Sequence, residues 1–159
     1  MAISNAIESS PAPTAPKIVP PDRRAESGRV YLITIFTEHR AHLFDELLLA
    51  RMLVRHLREQ EFAITLAYVI MPDHVYWLVR VKRRSTLAAV VRNAKASSTR
   101  SINGFYGRSG RVWQAGFQKY PLQENDDLKY IARYIISNPI RAGLAKSVRD
   151  YSHWDAVWL

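Results

Sequence analysis

The sequence predicts an α+β domain in which one antiparallel β-sheet carries helices packed on it. Three observations lead there. Runs of β-branched and aromatic residues alternate with longer stretches whose apolar residues recur at helical spacing. Two of the runs, residues 62–70 and 74–81, are separated only by Met71, Pro72 and Asp73, which makes them a hairpin. The order of elements is strand, helix, strand, strand, helix, strand, helix, that of a ferredoxin-like split βαβ unit.

Residues 30–36 (VYLITIF) read as the first strand. Residues 44–60 carry Leu47, Leu48, Met52, Leu53 and Leu57 at helical spacing, with charges between them. The hairpin follows, FAITLAYVI and then HVYWLVRV. Its turn suits Pro, which has no amide to donate, and Asp, which bonds locally. Residues 85–103 read as a helix opened by the capping pair Ser85 and Thr86, with Leu87, Val90, Val91, Ala94 and Ile102 on its apolar side. Gly104, Gly107 and Gly110 mark a loop. Residues 111–122 (RVWQAGFQKYPL) read as a fourth strand bent at Gly116. Residues 124–137 read as a third helix, stopped at Asn138-Pro139 because the residue before proline is pushed out of the helical region. A closing arm with Tyr151, Trp154 and Trp158 runs to Leu159. Trp77 and Trp113 read as core residues.

The chain has 159 residues, 48% of them hydrophobic, enough for one domain with a real core. That domain is expected over residues 28–159. Residues 1–27 hold Pro11, Pro13, Pro16, Pro20 and Pro21 among small and polar residues and read as a flexible tail ending near Arg23 and Arg24. Lys and Arg total 23 against 14 Asp and Glu, a formal charge of +9. The expected partner is a polyanion, nucleic acid first and an anionic membrane surface second. The absence of cysteine excludes disulfides, thiolate nucleophiles and cysteine zinc sites. No apolar run approaches the ~18 residues of a membrane helix. With no secretory pattern at the start, the expected location is the cytoplasm, associated with the nucleoid. Nothing resembles a dimerisation strand, so a monomer is expected.

Alternation along residues 74–81 puts His74 and Tyr76 on one face of the strand, at a sheet end that a ligand can reach. Tyr134 and Asn138 share one face near the end of the third helix, with Tyr130 a turn earlier. Periodicity alone favours core packing for both tyrosines and a plain helix end for Asn138. The combination says more. MPDHVYWLV (71–79) resembles the signature of the HUH single-strand nucleases, Met-Pro-Asp/Asn-His-hydrophobic-His. YIISNPIRAGL (134–144) resembles the tyrosine helix and following turn of the REP-associated tyrosine transposases. GRVWQAGFQKYPLQ (110–123) and DYSHW (150–154) fit the same family, in the same order, over residues 28–156.

The resemblance implies a fold of the same α+β kind and a DNA strand transferase that acts on hairpins of palindromic repeats. It implies that Tyr134 is the nucleophile, that His74 is a ligand of Mg2+ or Mn2+, and that Asn138 is a further ligand. The chemistry would form a 5′-phosphotyrosine and a free 3′-OH, conserving the bond for rejoining. One position departs from the pattern: Tyr76 stands where the second histidine is expected. A neutral phenol is a poor ligand, so three readings stay open. Water replaces the imidazole, Tyr76 stacks a base, or the site is degenerate and the chain binds hairpins without cutting them. Lys82, Arg83, Arg84, Arg92, Lys95, Arg100, Arg108 and Arg111 are the expected phosphate contacts. An RNA-binding sheet ranks lower, because Phe117 and Tyr120 do not form the aromatic-rich glycine motif it needs.

Overall fold

Three strands form where both faces of the sheet are covered. β1 (Val30–Phe36), β2 (Ala63–Met71) and β3 (His74–Val81) are buried along most of their length, and their side chains alternate between two cores. These strands belong to a computed structural model that describes residues 26–158. The tail expected over residues 1–27, with Arg23 and Arg24, lies up to residue 25 outside the described residues. Glu26 belongs to the folded part: its carboxylate accepts the Leu87 amide at 3.0 Å, and its carbonyl accepts the Arg29 amide at 3.1 Å.

The sheet has five strands in the order β4-β1-β3-β2-β5, every neighbouring pair antiparallel. The first four realise the expected split βαβ order. The hairpin closes at Met71 opposite His74, with Pro72 and Asp73 as its turn. One core holds Ile33, Ile35, Val75, Trp77 and Val79 under α1 (Leu47–Arg58) and α2 (Leu87–Tyr106). The other holds Leu32, Val69 and Leu78 under α3 (Leu128–Ile136) and the closing arm. Trp77 and Trp113 are core residues as expected, each with its indole N–H bonded at 2.9 Å, to Thr65 and to Ser98.

Several boundaries differ from the sequence reading. α1 begins at Leu47 rather than near Phe44, because residues 43–45 form a single 3-10 turn and the Glu46 side chain caps the helix. α2 is capped by Thr86, whose hydroxyl accepts the Ala89 amide at 3.2 Å, and runs through Gly104 to a stop at Gly107. Gly107 adopts φ +62°, a left-handed C-terminal cap that favours glycine. The expected strand over residues 111–122 shrinks to β4 (Gln118–Pro121), with a single bridge between Thr37 and Trp113 before it. Val112 and Trp113 drop into the core, and Gly116 at φ +76° turns the chain between the two pieces. The closing arm contributes a strand that the pattern did not reveal, β5 (Trp154–Ala156) on β2.

The largest difference follows α3. The chain does not leave the helical region at Asn138-Pro139. Ser137 is itself αR, and one more turn, α4 (Asn138–Arg141), follows directly. Pro139 sits in the first turn of α4, where an amide has no intrahelical partner to lose. Arg141 is thereby carried back alongside Tyr134.

Candidate active site

The site lies where the β2–β3 turn meets α3 and α4. On β3, Val75, Trp77 and Val79 face α1 and α2, so His74, Tyr76 and Leu78 face α3. α3 is amphipathic: Ile131 and Ile135 are fully buried against the sheet, each stabilising by about 1.5–3 kcal/mol. Its cap is Asp127, whose carboxylate accepts the Tyr130 amide at 3.1 Å. This docking turns Tyr134 partly into the core, toward Tyr76 and Asn138, and leaves Tyr130 exposed.

His74 is oriented by its neighbour. Nδ1 lies 2.7 Å from Asp73 Oδ1, and the Arg40 Nε donates to Asp73 Oδ2 at 2.8 Å. Burial would raise the Asp73 carboxyl, but the bonds from His74 and Arg40 outweigh it and hold it below the usual carboxylate range. Burial in turn lowers His74, against the opposing pull of Asp73. Asp73 is thus an ionised acceptor and His74 a neutral imidazole. The proton sits on Nδ1 and the lone pair on Nε2. His74 also packs between Phe36, at 5.5 Å, and Tyr76, edge-on at 5.1 Å between ring centroids.

Burial raises the Tyr76 phenol, opposed chiefly by Arg141, so it is a neutral hydroxyl at pH 7. Asn138 hydrogen-bonds that hydroxyl. The other end of the amide is engaged too, since Arg141 Nη2 donates to Asn138 Oδ1 at 3.3 Å and to the Tyr134 carbonyl at 3.1 Å. The guanidinium lies over the Tyr134 ring, 3.8 Å from its centroid. The structure therefore brings together His74, Tyr76, Tyr134 and Asn138, all four singled out in the sequence, and adds Asp73, Arg40 and Arg141. Arg141 was hidden by the helix end expected at Pro139. With the helix continued, it falls seven residues after Tyr134 and three after Asn138, on the same face. Arg40 had no local signal, since it sits in a loop where both His39 and Arg40 take positive φ, 55° and 53°. Non-glycine residues rarely do so, and the pair is held by the Asp73 bond and by packing of the guanidinium 4.4 Å from the Phe36 ring centroid.

The expected phosphate contacts divide into separate groups. Lys82, Arg83 and Arg84 are exposed at the far end of β3. Eight residues at about 3.3 Å each put Lys82 some ~25 Å from His74. Arg92, Lys95 and Arg111 line one groove with Trp113 and Phe117. Lys95 is committed within it: Nζ donates to the Gln114 carbonyl at 2.8 Å and to the Gly116 carbonyl at 2.5 Å, tying down the strap before β4. Arg100 is exposed further along α2, and Arg108 bonds Asn103 Oδ1 at 3.1 Å.

A family model described as "Transposase IS200 like" matches residues 27–138, more than half of the chain. The chain belongs to the IS200-like transposase family. A Haemophilus influenzae protein assigned as a REP-associated tyrosine transposase is 25% identical over 138 residues, covering 79% of this chain and 78% of that one. Among solved structures, a REP-associated tyrosine transposase bound to a REP hairpin superposes with a TM-score of 0.64 at 19% identity, over 80% of this chain and 76% of that chain. A Deinococcus radiodurans protein assigned as a transposase gives a TM-score of 0.51 at 17% identity, over 80% and 97%. Both share the fold. No helix among the described residues of this IS200-like transposase is long and apolar enough to cross a membrane.

The donor set at this end of the sheet is unlike one for the expected Mg2+ or Mn2+. Such ions take hard, preferably anionic oxygens in octahedral geometry. Here both oxygens of the Asp73 carboxylate are engaged by His74 and Arg40. The Asn138 oxygen faces Arg141, and Tyr76 offers a neutral phenol. No group of three His, Cys, Asp or Glu side chains suited to a metal ion occurs among the described residues. One imidazole nitrogen among two guanidinium groups does not fit a divalent cation.

Proposed function

We propose that this IS200-like transposase holds hairpin DNA of a palindromic repeat and transfers one of its strands through Tyr134. The observation that carries the reading is the meeting of His74 and Tyr76 on β3 with Tyr134 and Asn138 on α3 and α4, at one sheet end. Support comes from the family and from the hairpin held by the solved relative of like fold. The formal charge of +9 suits a polyphosphate partner.

In the proposed step the Tyr134 hydroxyl oxygen bonds to the scissile phosphorus. The bond from phosphorus to the 3′ oxygen breaks, and the phenol proton ends on the released 3′-OH. One phosphodiester is exchanged for another, so the 5′-phosphotyrosine keeps the energy needed for rejoining. Asp73 holds His74 in one tautomer, so that Nε2 presents a lone pair to a water or hydroxyl proton in the site. Exposed Arg92, Arg100 and Arg111 attract the duplex stem without selecting its sequence.

The test is a labelled oligonucleotide carrying a palindromic repeat and its single-stranded flanks, incubated with the full chain and resolved under denaturing conditions. A denaturant-resistant protein–DNA band that is absent with Tyr134→Phe supports the reading. Tight hairpin binding with no such band under any cation condition overturns it in favour of a hairpin-binding protein that does not cut.

A further inference from the structure

We propose that Arg141 receives the scissile phosphate and offsets its developing charge, so that strand transfer in this chain needs no divalent cation. The inference rests on the reading of Tyr134 as the nucleophile. The guanidinium stands 3.8 Å from the Tyr134 ring centroid, and its Nη2 donates to Asn138 Oδ1 and to the Tyr134 carbonyl. Arg141 remains exposed, so a strand arriving at the tyrosine meets it. A guanidinium is a planar fork of N–H donors matched to two phosphate oxygens, and it stays charged at any working pH.

The surroundings agree with a guanidinium in that role. Asn138, the residue best placed to offer a metal an amide oxygen, gives that oxygen to Arg141 and its other side to Tyr76. Tyr76 fills the strand position of a second imidazole and closes the network from the sheet side. Arg40 adds a second guanidinium on a backbone held in the left-handed region, an arrangement that costs stability and persists because Asp73 and Phe36 fix it. Asp73 bonds Arg40, and a second guanidinium, Arg141, lies over the Tyr134 ring. The atoms balance as above: the tyrosine–phosphorus bond forms, the bond to the 3′ oxygen breaks, and the proton passes to that oxygen.

The experiment compares adduct formation by the full-length chain, Arg141→Ala, Arg141→Lys, Tyr76→His and Tyr134→Phe, each in EDTA and in Mn2+, and measures Mn2+ binding by electron paramagnetic resonance. Adduct from the wild type should form in EDTA at a rate near that in Mn2+. Arg141→Ala should lower it by about 100-fold, the scale of removing one preorganised donor, and Arg141→Lys should recover part of it. Mn2+ should bind weakly to the wild type and more tightly to Tyr76→His, which supplies the second imidazole. Adduct that appears only with Mn2+, full activity in Arg141→Ala, or tight Mn2+ binding by the wild type would overturn the clamp and leave Tyr134 standing as nucleophile. Adduct from none of the proteins, or an undiminished adduct from Tyr134→Phe, sinks the nucleophile reading and the clamp with it. Unchanged thermal melting of the Arg141 variants, whose side chain lies outside the core, shows that the comparison is of folded proteins.

Discussion

The two ends of β3 carry charge in different ways. At the His74 end each polar group is placed by another: Asp73 by Arg40 and His74, Asn138 by Tyr76 and Arg141, and Tyr134 beneath a guanidinium. At the Lys82 end, Lys82, Arg83 and Arg84 are exposed, and Arg84 turns the chain at φ +64°. Lys82 reaches the Gln60 carbonyl at 3.4 Å. Cations of the second kind supply a field and a share of affinity; only the first kind fixes atoms relative to one another. The strand is one rigid element, so its length keeps these two kinds of charge apart.

Substitutions at the two ends should therefore differ in kind as well as in size. Tyr134→Phe gives the largest effect: complete loss of the covalent adduct, with hairpin affinity in gel shift within about threefold of wild type, because the ring and its packing remain. A matching fall in affinity would show that the hydroxyl serves binding instead. Asp73→Asn comes next, with a loss of about 2 kcal/mol in urea denaturation at pH 7, where Arg40 and His74 lose their carboxylate. The folded state holds Asp73 below the ordinary carboxyl range. As pH falls from about 5, the unfolded chain takes up this proton first and the stabilisation disappears. The gap between variant and wild type should narrow as pH falls through the ordinary carboxyl range toward the lower folded value, and a gap that stays constant would mean that shape, not charge, is what Asp73 supplies.

Histidine titration acts in the same direction. Burial lowers His56, His74 and His153 alike. Between their folded values and the ordinary value near 6.5, the unfolded chain binds more protons. Stability of the wild type should fall as pH drops below about 6.5, measured as a lower urea midpoint at pH 5.5 than at pH 7.5. Ser98→Ala is a smaller change, about 1 kcal/mol, because the buried Trp113 indole loses its acceptor and Trp113 bridges Thr37 beside the site. The smallest effect on chemistry should come from the other end. Replacing Lys82, Arg83 and Arg84 together by Ala should weaken hairpin binding by roughly threefold to tenfold and flatten its salt dependence, leaving strand transfer per bound complex unchanged. A loss of transfer at saturating DNA would mean that the two ends are coupled.

The hairpin and its facing were readable because both depend on local pattern. Alternation in HVYWLVRV told which side His74 and Tyr76 would take, and a turn as short as Pro72-Asp73 set the register with β2. Tyr134 and Asn138 were readable as a helical pair. Arg141 was not, since a residue before proline ordinarily leaves the helical region, whereas Pro139 here opens a new turn. Arg40 lay beyond reach for another reason. Its left-handed backbone is unfavourable by itself and exists only because Asp73, thirty-three residues away in sequence, lies where it can bond the side chain. β5 is three residues long and has no periodicity to read; it is a strand because β2 offers it an edge.

The sequence by itself determined the fold class, the order of the first four strands, the family and the tyrosine, histidine and asparagine that face one another. These follow from period, turn chemistry and motif, which act over a few residues. Only the tertiary structure decided that Arg40 and Arg141 join them, that the Asn138 oxygen turns to a guanidinium, and that Lys82 to Arg84 stand at the opposite end of the sheet. Those outcomes depend on hydrogen bonds and charges between segments distant in the chain, whose partners are set by packing rather than by neighbouring residues.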